Sequence, residues 1–179
     1  MWRRVARRRA EALETLSRLK CTTTSGLAGR LGISHSQAAY LLRVLEREGG
    51  VVKHKVGRAA VWCAAPVPQE ELYILVNPCF KYAEEALKAL LEGARGAVRT
   101  ITPLDLIKAM ERLHRRSCAA PLGRLYALAA ARMWLEERLR NAIVDVKRRE
   151  TKAVRLIVDV KKARERLAAA TAAAAAAMV

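Results

Sequence analysis

Apolar residues in the first fifty positions recur with the spacing of α-helices. Residues 2–20 share one apolar helical face, made of Trp2, Val5, Ala12, Leu13, Leu16 and Leu19. Residues 34–48 form a second such segment, with Ala38, Leu41, Leu42 and Leu45 on one face. Between them, the hydroxyls of residues 22–24 can cap a short helix whose apolar residues Leu27, Ala28 and Leu31 face the core. The pattern therefore predicts three helices before Gly49.

The start of the third helix carries its own signal. Ser34 is followed three residues later by Gln37, the spacing of a capping box, in which each side chain bonds the other residue's backbone N–H. With the apolar face turned inward, the opposite side presents what we call the outer ridge, namely Ser36, Tyr40, Arg43 and Arg47. Hydroxyl donors and planar guanidinium groups on an exposed helix are suited to reading base edges in the major groove of DNA.

After Gly49 and Gly50 the pattern changes to that of a short β-hairpin. Val51 and Val52 open one strand, and the chain returns through Val61 and Trp62. The loop between the strands is expected to carry the basic residues Lys53, His54, Lys55 and Arg58.

The stretch from Thr24 to Trp62 resembles the winged helix-turn-helix domains of bacterial and archaeal transcription regulators. The matching features are a short helix ending in Leu-Gly-Ile-Ser, a second helix ending in Leu-Glu-Arg-Glu-Gly, and a basic hairpin, within residues of about 10–65. The resemblance implies that residues 34–48 are a recognition helix and residues 53–58 a wing on duplex DNA. The DNA-contacting residues it implies are Ser34, His35, Ser36, Gln37, Tyr40, Arg43, Arg47, Lys53, Lys55 and Arg58.

The chain departs from the family pattern in two places. The first helix of the motif contains Gly26 and Gly29, each of which weakens a helix by about 1 kcal/mol relative to Ala. The opening helix is unusually rich in arginine, and the C-terminal end is basic as well. From these ends we expect secondary phosphate contacts by Arg3, Arg4, Arg7, Arg8, Lys147, Arg148, Arg149 and Lys152.

The middle of the chain is predicted to be helical. Asn77-Pro78 starts one helix that runs to Gly93, and residues 98–101 read as a short strand. A second capping box, Thr102 to Asp105, starts another helix, with Leu106, Met110 and Leu113 inward. Pro121 is expected to open a long helix with an inward face of Leu125, Leu128, Met133, Leu135 and Leu139. Residues 71–76 read as a strand or as the end of a linker helix.

Residues 143–160 admit two interpretations. Val154, Leu156, Val158 and Val160 alternate as in a strand, and basic residues 147–152 lie between two apolar runs. However, neither Gly nor Pro follows Gly123, and the same apolar residues fit a heptad seam on a long helix. Alternation and β-branched residues favour the hairpin. Residues 78–160 then read helix, strand, helix, helix, hairpin, which is the order of a second winged-helix unit.

These elements predict a mainly α fold with small β-hairpins, in the α+β class. The expected domains are a winged helix-turn-helix domain at 1–65, a linker at 66–77 and a second helical or winged-helix-like domain at 78–160. The Ala-rich tail at 161–179 is expected to be helical near its start and frayed at its end.

Charge decides among the function classes. The chain has 34 Lys and Arg against 17 acidic residues, a net charge of +17 that a polyanion would neutralise. Residues 1–65 contribute 13 basic and 4 acidic residues, and residues 141–179 contribute 9 and 4. Nucleic acid is the expected partner, and no membrane partner is expected.

Other classes lack support in the sequence. Cys21, Cys63, Cys79 and Cys118 show no metal-ligand spacing and are interpreted as small buried apolar residues, not as a disulfide framework. Arginines and Glu11 interrupt any signal-peptide core. We expect no metal, no cofactor and no enzyme activity, since no catalytic set of residues is present. The expected location is cytoplasmic and nucleoid-associated.

Three functions remain open. The first is a sequence-preferring transcriptional regulator, dimeric through its C-terminal region because one short recognition helix reads few base pairs. The second is an architectural, chromatin-type DNA binder that grips phosphates without reading bases. The third is an RNA- or ribonucleoprotein-associated protein.

Overall fold

The chain divides into two compact units, Met1–Leu75 and Val76–Val179. The structure is a computed structural model that describes residues 2–115, 118–148 and 154–177. The side chains of residues 2–5 and of Arg148 are not part of that description. Both units combine helices with a three-stranded antiparallel sheet, so the α+β prediction is confirmed.

Unit 1 follows the element order expected from the apolar pattern, with one strand added. Its elements are α1 (Trp2–Leu19), β1 (Cys21–Thr22), α2 (Thr24–Leu31), α3 (His35–Arg47), β2 (Val52–Val56), β3 (Ala59–Cys63) and α4 (Gln69–Val76). The sheet order is β1-β3-β2, with Cys21 opposite Cys63 and Val52 opposite Cys63 on the other side. The run at 71–76, left open between strand and helix, is helical.

The core of unit 1 lies between the inner faces of α1, α2 and α3 and the sheet. Its buried members include Ala12, Leu16, Leu27, Leu42, Leu45, Val51 and Trp62, and Leu31 and Ile33 pack against them. The indole N–H of Trp62 also forms a hydrogen bond, since its Nε1 donates to Thr24 Oγ1 at 3.2 Å. The predicted inward face of the third helix is confirmed, since Ala38, Leu41, Leu42 and Leu45 are buried. Leu13, also predicted inward, is 36% exposed.

Steric contact explains why one of the two glycines in α2, Gly26, has no side chain. A Cβ at Gly26 would lie 2.7 Å from Thr22 Oγ1, closer than real Cβ contacts allow, so the first turn of α2 approaches β1 through a glycine. Thr23 Oγ1 caps that turn by accepting from Gly26 N–H at 2.9 Å. Gly32 then ends α2 with φ of +59°, a left-handed conformation that favours glycine. The turn between α2 and α3 is therefore fixed by local chemistry.

Unit 2 repeats the element order of unit 1. A 3₁₀ helix (Pro78–Tyr82) precedes α5 (Ala83–Glu92), β4 (Val98–Ile101), α6 (Pro103–His114), α7 (Arg124–Arg138), β5 (Ile143–Arg148), β6 (Val154–Asp159) and α8 (Val160–Ala176). The sheet order β4-β6-β5 also matches that of unit 1. The hairpin interpretation of residues 143–160 is thus confirmed, and so is the capping box between Thr102 and Asp105.

The inward face predicted for the long helix of unit 2 is partly wrong. α7 begins at Arg124, after Gly123 adopts φ of +100°, and not at Pro121. Its buried side chains are mostly small, namely Ala127, Ala130, Ala131, Trp134 and Leu135. Leu125 is 81% exposed, and Leu113 of α6 is 43% exposed. The prediction followed the spacing of the leucines, whereas alanines and one tryptophan form most of the buried face of α7.

The alanine-rich tail stays helical further than predicted. α8 continues to Ala176, whereas fraying was expected near the end. Leu167 is buried, and Lys88 Nζ on α5 donates to Thr171 Oγ1 at 3.1 Å. Alanine has the highest intrinsic helix propensity, so the residues that follow this contact extend the helix at little cost.

The cysteine interpretation is wrong in one respect. Cys21, Cys63 and Cys79 are buried as expected, but the four cysteines form two disulfides, Cys21–Cys63 and Cys79–Cys118. The first joins directly opposed residues of β1 and β3. β1 has only two residues and thus no readable periodicity, so the opposition of Cys21 and Cys63 was not apparent from sequence spacing.

Candidate nucleic-acid interface

The start of α3 is anchored by the predicted capping box. Ser34 Oγ accepts from the Gln37 backbone N–H at 3.2 Å, and the Ser34 N–H donates to Gln37 Oε1 at 3.0 Å. Both side chains are exposed, yet each of them accepts a hydrogen bond from the backbone N–H of the other residue. Ser34 and Gln37, which were predicted to contact DNA, therefore cap α3 and fix the position at which the outer ridge begins.

Replacing Ser34 by alanine is expected to lower the free energy of unfolding by about 1 kcal/mol, because one N-terminal backbone N–H of α3 loses its acceptor. Chemical denaturation followed by circular dichroism measures the change. Ser36→Ala is the matched control, since Ser36 is an exposed serine two residues further on and the capping box joins only Ser34 and Gln37. Equal effects of the two substitutions would contradict the role of the cap.

The outer ridge faces solvent as predicted. Ser36, Arg43 and Arg47 are exposed, as is His35, and Tyr40 is 64% exposed. Arg43 Nε donates to the carbonyl of Ala39 at 3.2 Å, which lays the guanidinium along the helix. Among the described residues, no carboxylate forms an ion pair with Arg43 or Arg47. Their positive charge is thus available to a ligand.

Most of the basic residues of the hairpin lie on a strand, so the prediction that they lie in the loop is wrong. Lys53, His54 and Lys55 lie in β2, and the connection to β3 has only two residues, Gly57 and Arg58. A two-residue turn needs left-handed backbone, which Gly57 supplies with φ of +63°. Lys53, Lys55 and Arg58 are exposed, so the cationic surface predicted for 53–58 is retained.

Two of the hairpin residues have neighbours within unit 1. Lys53 Nζ lies 5.3 Å from the centre of a Trp62 ring, a cation–π contact that holds the lysine stem against β3. His54 Nε2 accepts from the Val67 backbone N–H at 3.3 Å, which ties β2 to the segment after the hairpin. Lys55 and Arg58 form no ion pair in the described part of the chain. These two are the hairpin's free cations.

The arginines of α1 are bonded within unit 1, which the sequence did not reveal. Arg7 pairs with Glu11 at 2.9 Å, and Arg8 donates to the carbonyl of Leu31 at 2.6 Å. Arg9 pairs with Glu48 at 2.8 Å, joining α1 to the end of α3. Arg8 therefore serves the packing of α1 on α2. The side chains of Arg3 and Arg4 lie outside the described residues.

Unit 2 places its cations differently. On α7, Arg132 pairs with Glu136 at 2.7 Å, and Arg138 pairs with Glu84 at 3.2 Å while lying 5.6 Å from the Trp134 ring. Burial raises the pKa of Tyr126 on the same helix. Of the predicted hairpin contacts, Lys147 is exposed, whereas Arg149, Lys152 and the side chain of Arg148 lie outside the described residues. α7 thus offers less free positive charge than α3.

The described residues contain neither a metal-ligand cluster nor a membrane-spanning helix. No group of three or more His, Cys, Asp or Glu side chains there is arranged to hold a metal ion. No helix within those residues combines the length and the apolar content that crossing a membrane requires.

Comparisons with known proteins match part of unit 1 to a family and most of the chain to a solved structure. Residues 8–63, which span most of unit 1, match the family model described as FaeA-like protein. A crystal structure of a hypothetical protein from Pyrobaculum spherical virus is similar over 89% of this chain and 97% of that chain, with a TM-score of 0.55 and 20% sequence identity. At that identity the likeness concerns the fold alone. No curated protein sequence matches the chain significantly. The chain thus contains a FaeA-like segment, and its fold is similar to that of a viral protein.

Proposed function

We propose that the chain is a transcriptional regulator that binds duplex DNA through a winged helix-turn-helix formed by unit 1. The observation that carries the proposal is the outer ridge, where Tyr40, Arg43 and Arg47 face solvent from a capped helix whose other face is buried. In the described residues the two guanidiniums lack a carboxylate partner, and they are the groups with which proteins most often recognise guanine.

Two further findings support the proposal. The order α1, β1, α2, α3, β2, β3 with sheet order β1-β3-β2 is compatible with a winged-helix unit. The proposal takes α3 as the recognition helix of that unit. The FaeA-like match of residues 8–63 points to a regulator-type DNA-binding protein. In this mechanism α3 enters the major groove while Lys55 and Arg58 of the hairpin contact phosphates, and the protein resides with cellular DNA.

Unit 2 is assigned a different role in this proposal. Its α7 is the counterpart of α3 in element order, yet Arg132 and Arg138 are paired with glutamates. We propose that unit 2 holds two copies together as a homodimer, which would double the number of base pairs read. The architectural alternative uses the arginines of α1 and both basic ends to grip phosphates, and the ion pairs of Arg7, Arg8 and Arg9 with Glu11 and Glu48 weaken its α1 part.

A competition experiment separates the three functions. A duplex enriched from a random pool is labelled, bound, and challenged with its scrambled version and with a structured RNA of equal length. A regulator should release the label to the scrambled duplex or the RNA only at large excess, since specific binding exceeds non-specific binding by about 10³-fold or more. Equal competition by scrambled duplex would indicate an architectural binder, and stronger competition by RNA would indicate an RNA-associated protein.

The substitution Lys55→Ala should weaken binding to the selected and the scrambled duplex by the same factor. Lys55 is exposed on β2 and is proposed to contact a phosphate, which carries no sequence information. The slope of log affinity against log salt should fall by about 1. Lys108→Ala is the control, because Lys108 is an exposed lysine on α6 of unit 2. If both variants change the slope equally, the hairpin has no specific part in binding.

A further inference from the structure

A groove in unit 2 combines an apolar floor with two arginines. It lies between α5, β4 and α6, and its volume of about 480 Å³ falls in the range of small-molecule sites. Leu90, Ile101, Ala109 and Leu113 supply apolar surface, and Arg99, Thr100 and Arg112 supply polar groups. Leu113, which is 43% exposed, is one of the residues that line the groove. A large, partly exposed apolar side chain in a groove with two arginines indicates a site for a ligand that has both an apolar part and a negatively charged group.

The charges of the groove favour an anion. Arg99 donates to the carbonyl of Leu90, a neutral acceptor, so its positive charge is oriented but not cancelled. Arg112 is exposed and forms no ion pair with any described carboxylate. Asp105 also lines the groove, but its Oδ2 accepts from the Thr102 N–H at 2.8 Å and from the Thr102 hydroxyl at 2.7 Å. The groove therefore contains two guanidinium groups and one carboxylate, and its net charge is positive.

From this combination we infer that unit 2 contains a binding site for a small amphipathic carboxylate. The carboxylate lies between Arg99 and Arg112, where a guanidinium can offer two parallel N–H donors. The apolar body of the ligand covers Leu90, Ala109 and Leu113. Inorganic phosphate lacks such a body, and a neutral aromatic lacks the charge. The site lies within unit 2 and does not depend on the DNA-binding role proposed for unit 1.

Sodium benzoate is a suitable probe, with benzyl alcohol and inorganic phosphate as the compounds that lack its charge or its apolar body. Binding to the full chain is followed by amide chemical shifts in NMR spectra. Benzoate should move the amides of β4 and of the second half of α6, with an affinity at least about tenfold above that of either control compound. Shifts of equal size with phosphate, or no shifts at millimolar benzoate, would overturn the inference.

Variants on a single helix test the role of Arg112. Arg112→Gln should weaken benzoate binding about tenfold. Lys108→Gln, which removes the same charge from α6 outside the groove, should leave binding unchanged. Arg112→Lys should restore part of the affinity, and the unfolding temperature of each variant shows that the fold is intact. Equal loss in the two Gln variants would show that benzoate responds only to the overall charge of the protein, and would overturn the site.

Discussion

Replacing Arg43 by alanine is expected to lower the affinity for a selected duplex by about 5- to 150-fold, which corresponds to about 1–3 kcal/mol. The affinity for scrambled duplex should change much less. The reason is geometric, because Arg43 lies on the outer ridge of α3 in the register of Tyr40 and Arg47, and its guanidinium has no carboxylate partner among the described residues. A guanidinium on that ridge can bond two acceptors of one guanine, and those bonds vanish with the side chain.

The measurement is the ratio of the two affinities, determined by fluorescence anisotropy at a single salt concentration. Arg124→Ala is the matched control, because Arg124 is an exposed arginine at the start of α7 in unit 2. That variant removes the same charge and should leave the ratio intact. If Arg43→Ala weakens the selected and the scrambled duplex by one factor, Arg43 contacts phosphate only and α3 is not the reading element.

Removing the disulfide of unit 1 through the double substitution Cys21→Ala and Cys63→Ala should lower the free energy of unfolding by about 2–5 kcal/mol. The cross-link joins residues 42 positions apart, so it restricts a long loop of the unfolded chain. It also holds the two-residue strand β1 against β3, where few backbone hydrogen bonds are available. The effect should therefore fall on unit 1.

Urea denaturation followed by tryptophan fluorescence in a Trp134→Phe background measures this change, since Trp62 is buried in the core of unit 1 and the buried tryptophan of unit 2 is then absent. Reductant should shift the midpoint of unit 1 in the native sequence and leave it unchanged in the double variant. The variant Cys79→Ala with Cys118→Ala is the control, because it removes a link of similar span, 39 positions, from unit 2 only. An unchanged midpoint for the Cys21 and Cys63 variant would contradict the stabilising role of the link.

Local chemistry explains what could be predicted from the sequence. The capping boxes at Ser34 and Thr102 fix helix starts within three or four residues of chain, so neither depends on distant contacts. The outer ridge follows from one strong apolar face, and the exposed positions of Tyr40 and Arg43 confirm it. The hairpin at 143–160 follows from alternation of β-branched residues, which a strand tolerates better than a helix does.

Features that depend on distant residues could not be predicted. The bond from Arg8 to the Leu31 carbonyl spans 23 positions, and the Arg9–Glu48 pair spans 39. Each arginine looks like a surface cation in the sequence, because its partner belongs to another helix. The disulfides depend in the same way on which strands become neighbours. On α7, alanines form the buried face, and alanine is too common on both faces of helices to mark one.

Mapping the DNA contact on the protein tests the central claim most directly. Amide chemical shifts of the full chain are compared with and without the selected duplex. The account predicts that the largest changes fall on Ser36 to Arg47 of α3, with a second group on β2 and the turn at Gly57 and Arg58. Largest changes on α7 or on the β5–β6 hairpin of unit 2, with α3 unaffected, would contradict it.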